Sequence, residues 1–300
     1  MTASRNPAAP TDVFALDLDG VLVDSVNEIC EVGCRAAKAS LPDGVNFSEE
    51  NRAEVLSKLL EAFPMGTQGS DQVVLARILM EDLSSFGGIV KKLSDWGAVK
   101  KSKLEEWGVT IESLQEAFMA ERKSWRETDN PGWAQANAPF PGIKESLMYC
   151  EFPFYIVTAK PGSGAAPVLT TALNLPIPED SPRLFAGLDN TPGVQKAEAL
   201  REIASRPMCK EGARLHYVDD RFATLKELRP QASLKNWNLY LADWGYNTED
   251  DQAEAKKMGI NCLTLREFCE MLKWGLVMGV DDGCEPTAEE VEAQVYSPKE

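Results

Sequence analysis

Six short apolar runs rich in β-branched and aromatic residues punctuate the chain: VFALDLD (13–19), FPFYIVTA (152–159), RLFAGL (183–188), RLHYVDD (214–220), NLYLAD (238–243) and NCLTL (261–265). Helix-like segments follow them, the alternation expected of a parallel sheet covered by helices on both faces. Pro192 in TPGVQKAEALREIAS marks one helix start, and RFATLKELR follows directly on Asp220. Thr248 with Asp251 three residues later gives a capping-box start to EDDQAEAKKMG, which Gly259 closes.

The first and second runs are separated by about 130 residues, far too many for a simple crossover. Helical patterns fill the interval: NEICEVGCRAAKAS, SEENRAEVLSKLLEAF, SDQVVLARILMEDL, VKKLSDWGAVKKSKLEEW and TIESLQEAFMAERKSW. The spacing predicts a helical unit over residues 26–138 inserted after the first strand, with NAPFPGIKESL bringing the chain back. The expected division is an N-terminal extension (1–11), an α/β doubly wound core of Rossmann type (12–25 and 139–275), the helical insertion, and an acidic tail (276–300).

Charge narrows the function classes. A formal net charge of -16, from 31 basic and 47 acidic side chains, would repel a phosphate backbone or an anionic membrane, so neither nucleic acid nor membrane is an expected partner. The last 20 residues carry seven acids against one lysine and read as a solvated tail. Seven cysteines form no CxxC pair, which fits free thiols in a reducing compartment, cytoplasmic or organellar; Cys30 and Cys34 share a helix face but make a poor metal site on their own. No run approaches the roughly 18–20 apolar residues of a membrane span, and MTASRNPAAP lacks a signal-peptide core, so a soluble protein is expected.

In open parallel sheets ligands bind beyond the carboxyl ends of the strands, so polar residues that close apolar runs are the ones to inspect. These are Asp17 and Asp19, Thr158, and Asp219 with Asp220; Lys196 stands near the start of the helix after the third run. Strand-end acids from two strands could share a hard cation, and Mg²⁺ suits few carboxylates plus water and a phosphate oxygen. A lysine and a hydroxyl could hold the other phosphoryl oxygens. With the repulsion cancelled, an aspartate becomes usable as a nucleophile towards phosphorus. Residues two apart in an extended chain point the same way, so one of Asp17 and Asp19 could attack while the other handles the leaving group's proton. The like charge beside it would keep one of the pair protonatable.

DLDGVLVDS, IVTAK, the lysine of GVQKAEAL, and YVDD resemble, in order, the four motifs of the haloacid dehalogenase superfamily, and the insertion is similar to its helical cap between the first and second motifs. The resemblance implies Asp17 as nucleophile and Asp19 as general acid/base, with the Asp19 backbone carbonyl on the metal. It implies Thr158 and the Ala159 amide as phosphoryl ligands, with Gly20 and Lys160 also lining the substrate site, and Lys196 as charge stabiliser. Of YVDD, Asp220 is implied as the metal ligand and Asp219 as its support. The activity implied is a Mg²⁺-dependent, phosphoglycolate-phosphatase-like hydrolysis of a small phosphomonoester through an aspartyl-phosphate. A sugar-phosphate mutase of the beta-phosphoglucomutase kind and a non-catalytic module binding a phosphometabolite or a protein are the alternatives.

Four features lie outside that set. PMGTQGSD (64–71) breaks two helices and occupies the position of a specificity loop, making Thr67, Gln68 and Ser70 candidate leaving-group contacts; an ordinary turn explains it as well. ADWGYNT (242–248) resembles the WGY loop of phosphoglycolate-phosphatase-like members, or else is a tight turn with a helix cap. His216 reads as a packed strand residue. Trp96, Trp107, Trp125 and Trp133 read as packing within the insertion.

Overall fold

The computed structural model describes residues 12–41, 49–63, 69–91, 96–187, 194–209 and 212–275. Both terminal segments, Pro192, Thr67 and Gln68 lie outside the described residues.

All six apolar runs become strands of one parallel sheet: β1 (Asp12–Leu16), β4 (Phe154–Val157), β5 (Leu184–Phe185), β6 (Arg214–Asp219), β7 (Trp237–Ala242) and β8 (Asn261–Leu263), in the order β5-β4-β1-β6-β7-β8. The first strand stops at Leu16, short of the expected residue 19, because Leu18 to Gly20 begin to turn; Asp17 still donates its amide to the Val218 carbonyl at 3.0 Å.

Why the runs are continuously apolar shows in the core. Alternate residues of a strand point to opposite faces, and here both faces are buried. Val13 and Ala15 pack with Tyr155, Val157, Tyr217 and Leu239, while Phe14 and Leu16 pack with Ile156, Val218 and Tyr240 on the other side. The first face is covered by α10 (Val194–Ser205), α11 (Phe222–Leu228) and α12 (Glu249–Lys257), through Leu200, Ile203, Leu225 and Ala255. The second is covered by α8 (Ile143–Met148), α9 (Gly162–Thr171) and α13 (Leu265–Trp274), through Ile143, Val168, Phe268 and Met271. Each such buried side chain contributes roughly 1.5–3 kcal/mol, so the sheet is held rigidly from both sides. Thr248 and Asp251 form the reciprocal cap read from the sequence, and Thr264 with Glu267 forms a second one at α13.

The described residues of the long interval form helices joined by short turns: α1 (Val26–Ala39), α2 (Glu49–Ala62), α3 (Gly69–Glu81), α4 (Phe86–Lys91), α5 (Trp96–Trp107), α6 (Ile111–Thr128) and α7 (Asn130–Gln135). Two strands too short to show a period, β2 (Val23–Asp24) and β3 (Ala138–Pro139), pair antiparallel where the chain leaves and re-enters the core. They hold the two crossings side by side. The tryptophans serve packing and polar anchoring: Trp133 is fully buried and donates to Glu28 at 3.1 Å, and Trp107 lies under the Arg77 guanidinium, 4.2 Å from its ring centroid. Among the described residues no helix is long and apolar enough to cross a membrane, and the six described cysteines are free.

Candidate active site

The strand order reverses around β1, which is flanked by β4 on one side and β6 on the other, so the carboxyl ends of three strands meet beyond Leu16. Asp17 emerges there with its Oδ1 accepting from the Leu18 amide at 2.7 Å. Its Oδ2 accepts from Lys196 Nζ at 2.6 Å, and the same ammonium donates to Asp219 Oδ2 at 2.7 Å. Asp219 also accepts from the Tyr217 hydroxyl and, at 2.8 Å, from the Arg221 amide. Asp220 accepts from the Tyr246 amide at 2.9 Å.

Asp17, Asp219 and Asp220 are all buried, and each offers one oxygen within 4.8 Å of the others'. One lysine stands against three carboxylates. The imbalance shows in their protonation: burial, then the charge of Asp219, pushes Asp17 up to about 6 although Lys196 opposes it. Burial, then Asp219 and Asp17, pushes Asp220 up to about 8, against Arg221 and the Tyr246 amide. Burial works against the Lys196 ammonium, yet the two carboxylates beside it raise its pKa. An oxygen-only donor set with a deficit of positive charge fits a hard divalent cation such as Mg²⁺, and of its three carboxylates Asp219 is already engaged by Lys196, the Tyr217 hydroxyl and the Arg221 amide.

Two glycines make the cluster possible. Gly20 has φ +80, and a Cβ there would lie 2.3 Å from Asp220 Oδ2. A Cβ on Gly245 would lie 2.3 Å from the Asp220 Cβ and 2.6 Å from the Gly20 carbonyl oxygen. Any side chain at either position would displace Asp220.

Asp19 stands apart from the three carboxylates. It accepts from the Ser25 hydroxyl and from Lys160 Nζ, the latter at 2.8 Å. The charge of Asp17 was expected to keep it protonatable; the free site does the reverse. Burial raises its pKa, but Lys160, Ser25 and the Arg122 charge outweigh that and bring it below the ordinary carboxylate value. Lys160 also lies 4.0 Å from Glu28 Oε2, and Arg122 grips that carboxylate through both oxygens, Nε to Oε1 at 2.6 Å and Nη2 to Oε2 at 2.8 Å. Thr158 is buried and accepts from the Lys160 amide at 3.1 Å, while Ala159 is exposed beside it.

Ser25, Glu28 and Arg122 were not singled out from sequence. Glu28 left a signal, an acid among the apolar residues of α1; Ser25 left none, since a serine opening a helix ordinarily reads as a cap. Ser70 is buried and donates its amide to Gln115 at 3.2 Å. The 242–248 loop contacts Asp220 through the Tyr246 amide and Asn247, and it also forms a turn at Gly245 and the Thr248 cap of α12.

No family model matches the chain, and no curated protein matches it. Solved structures do. A "putative phosphatase" from Clostridium difficile aligns over 88% of this chain and 99% of its own, at 14% identity and a TM-score of 0.53. A "putative beta-phosphoglucomutase" from Thermotoga maritima aligns over 88% and 100%, at 15% identity and 0.51. A "predicted phosphoglycolate phosphatase" from Haemophilus somnus aligns over 90% and 100%, at 15% identity and 0.50. At such identities the likeness is one of fold: a parallel-sheet α/β core with an inserted helical unit.

Proposed function

We propose, on that fold, that the chain is a Mg²⁺-dependent phosphatase of small phosphomonoesters that works through a phosphoryl group carried on Asp17. The observation that carries the reading is the convergence of Asp17, Asp219, Asp220 and Lys196 at the strand-order reversal, with three carboxylates against one ammonium. A cation held by Asp17 and Asp220 would supply charge compensation to both the attacking carboxylate and the phosphoryl oxygens.

The remaining steps belong to the chain's own groups. Lys196 holds the Asp17 carboxylate through Oδ2 and favours its ionised, nucleophilic form. Thr158 and the Ala159 amide orient the phosphoryl group, and Gly20 leaves room beneath it. Asp19, held ionised by Lys160 in the free site, is in the state that activates water in the second half-reaction. For the first half it must gain a proton for the departing alcohol, and a bound phosphoryl dianion adds the negative charge that favours this. Thr67 and Gln68 are proposed contacts of the leaving group.

The test is hydrolysis of p-nitrophenyl phosphate and a panel of phosphometabolites with and without Mg²⁺, comparing wild type with Asp17→Asn. Metal-dependent turnover lost in the variant supports the reading; turnover without metal, or undiminished in the variant, overturns it. Isomerisation of a hexose phosphate faster than its hydrolysis would make the enzyme a mutase, and binding without turnover would make it a phosphometabolite-binding module.

A further inference from the structure

Tyr246 is the one residue of the WGY loop that reaches in three directions. Its amide donates to Asp220 Oδ2 at 2.9 Å. Its hydroxyl accepts from the Ser25 amide at 2.7 Å and donates to Asp24 Oδ1 at 3.1 Å, spanning the first crossing into the cap. Its ring packs edge-on against Phe63, just past the end of α2, with centroids 4.7 Å apart. The loop that presents it is fixed independently. Asn247 donates to the Asp220 and Ala242 carbonyls, and Trp244 donates to the Val21 carbonyl while stacking on Phe268.

We propose that Tyr246 is a positioning residue that ties the cap hinge at Asp24 and Ser25 to Asp220, so that seating of the cap and assembly of the reactive carboxylates are one event. The hydroxyl of Ser25 stands on Asp19, and its amide on Tyr246. Ser25 is fully buried, so when Tyr246 loses hold of it the amide has no water to turn to, and the hydroxyl leaves Asp19 with the hinge. The main-chain bond to Asp220 uses no side-chain atom of Tyr246. Phenylalanine there therefore keeps the carboxylate cluster and the Phe63 contact while cutting the tie to the hinge.

The consequence for turnover rests on the phosphatase reading, whereas the tie itself does not. In Tyr246→Phe, kcat on p-nitrophenyl phosphate should fall by about tenfold, as small misplacements of a catalytic carboxylate do, because the Ser25 hydroxyl leaves Asp19, while KM and the Mg²⁺ half-saturation stay within about threefold. Ser25→Ala should cost as much as the double variant, because one acts through the other. Hydrogen exchange supplies the second measurement. Mg²⁺ with inorganic phosphate should slow exchange of the first-turn amides of α1 in wild type and not in Tyr246→Phe. Unchanged kcat in the variant, additive single variants, or equal slowing in both proteins overturns the proposal. If wild type hydrolyses nothing, the phosphatase reading falls and the exchange comparison alone decides the role of Tyr246.

Discussion

Two buried charge clusters sit at opposite ends of the same two strands. At the amino ends of β1 and β6, Asp12 accepts from Arg214 through both oxygens at 2.6 Å and meets His216 Nε2 at 2.9 Å. His216 Nδ1 lies 3.1 Å from the Tyr240 hydroxyl, and Arg214 reaches the Gly275 carbonyl at 3.0 Å. At the carboxyl ends, five residues further along each strand, Asp17 and Asp219 share the Lys196 ammonium, with Asp220 beside them. The lower cluster is closed, because every charge has a partner of opposite sign or a matched hydrogen bond. The upper one is open by at least one positive charge. Burying unpaired charge is costly, and a fold keeps such a deficit only where something outside the chain completes it. The contrast separates architecture from site without reference to any relative.

The sharpest way to break the contrast is to remove one carboxylate. Asp17→Asn should lower hydrolysis by roughly 10⁴-fold or more, as loss of a nucleophile does, while the melting temperature stays close to wild type because a like-charge repulsion goes with it. Circular dichroism melting beside steady-state kinetics checks both halves. Lys196→Met comes next, since it leaves three carboxylates facing one another. Without divalent cation the variant should lose about 3–5 kcal/mol in urea unfolding, the range for stranding buried charge, and saturating Mg²⁺ should restore part of that loss. If Mg²⁺ restores nothing, the upper cluster is not open in the sense argued.

At the closed end the pattern inverts. Asp12→Asn should leave kcat unchanged and cost about 2 kcal/mol of stability, less than a fully buried pair because the Arg214 side chain is 43% exposed. Equal damage to turnover would show that the two ends communicate through the strands.

How much of this was legible follows from range in sequence. The six strands showed because both faces of the sheet are buried, which makes each run continuously apolar, and the clustered carboxylates showed because they close those runs. Asp17 and Asp220 needed no knowledge of contacts. Ser25 and Tyr246 did: they meet across 221 positions, and nothing local in VDS or WGY says so. The pairing of Lys160 with Asp19 spans 141 positions, and it reversed the protonation expected from the spacing of Asp17 and Asp19 alone. β2 and β3 escaped because two residues carry no period. Local pattern thus revealed the strands and the acids at their ends, while the contacts of Ser25 and the electrostatics of Asp19 depended on the helical insertion's return to the core.

The smallest effect tests how closed the lower cluster is. His216 is 4% exposed, stacked between Phe14 and Tyr240, and faced by Asp12 from β1, Tyr240 from β7 and Arg214 on its own strand. Burial lowers its pKa below the ordinary 6.5, with the Arg214 charge adding to that and Asp12 opposing it. The unfolded chain therefore binds the proton first on acidification. Its contribution to stability is complete above about pH 6.5 and is lost as the pH falls through that value towards the folded pKa, with a slope of at most about 1.4 kcal/mol per pH unit for one proton. Urea unfolding between pH 7.5 and 5 should show this slope in wild type and a shallower one in His216→Gln. Identical slopes would mean that Asp12 neutralises the imidazolium as readily as it neutralises the guanidinium, and that the lower end is closed to a proton as well as to a metal.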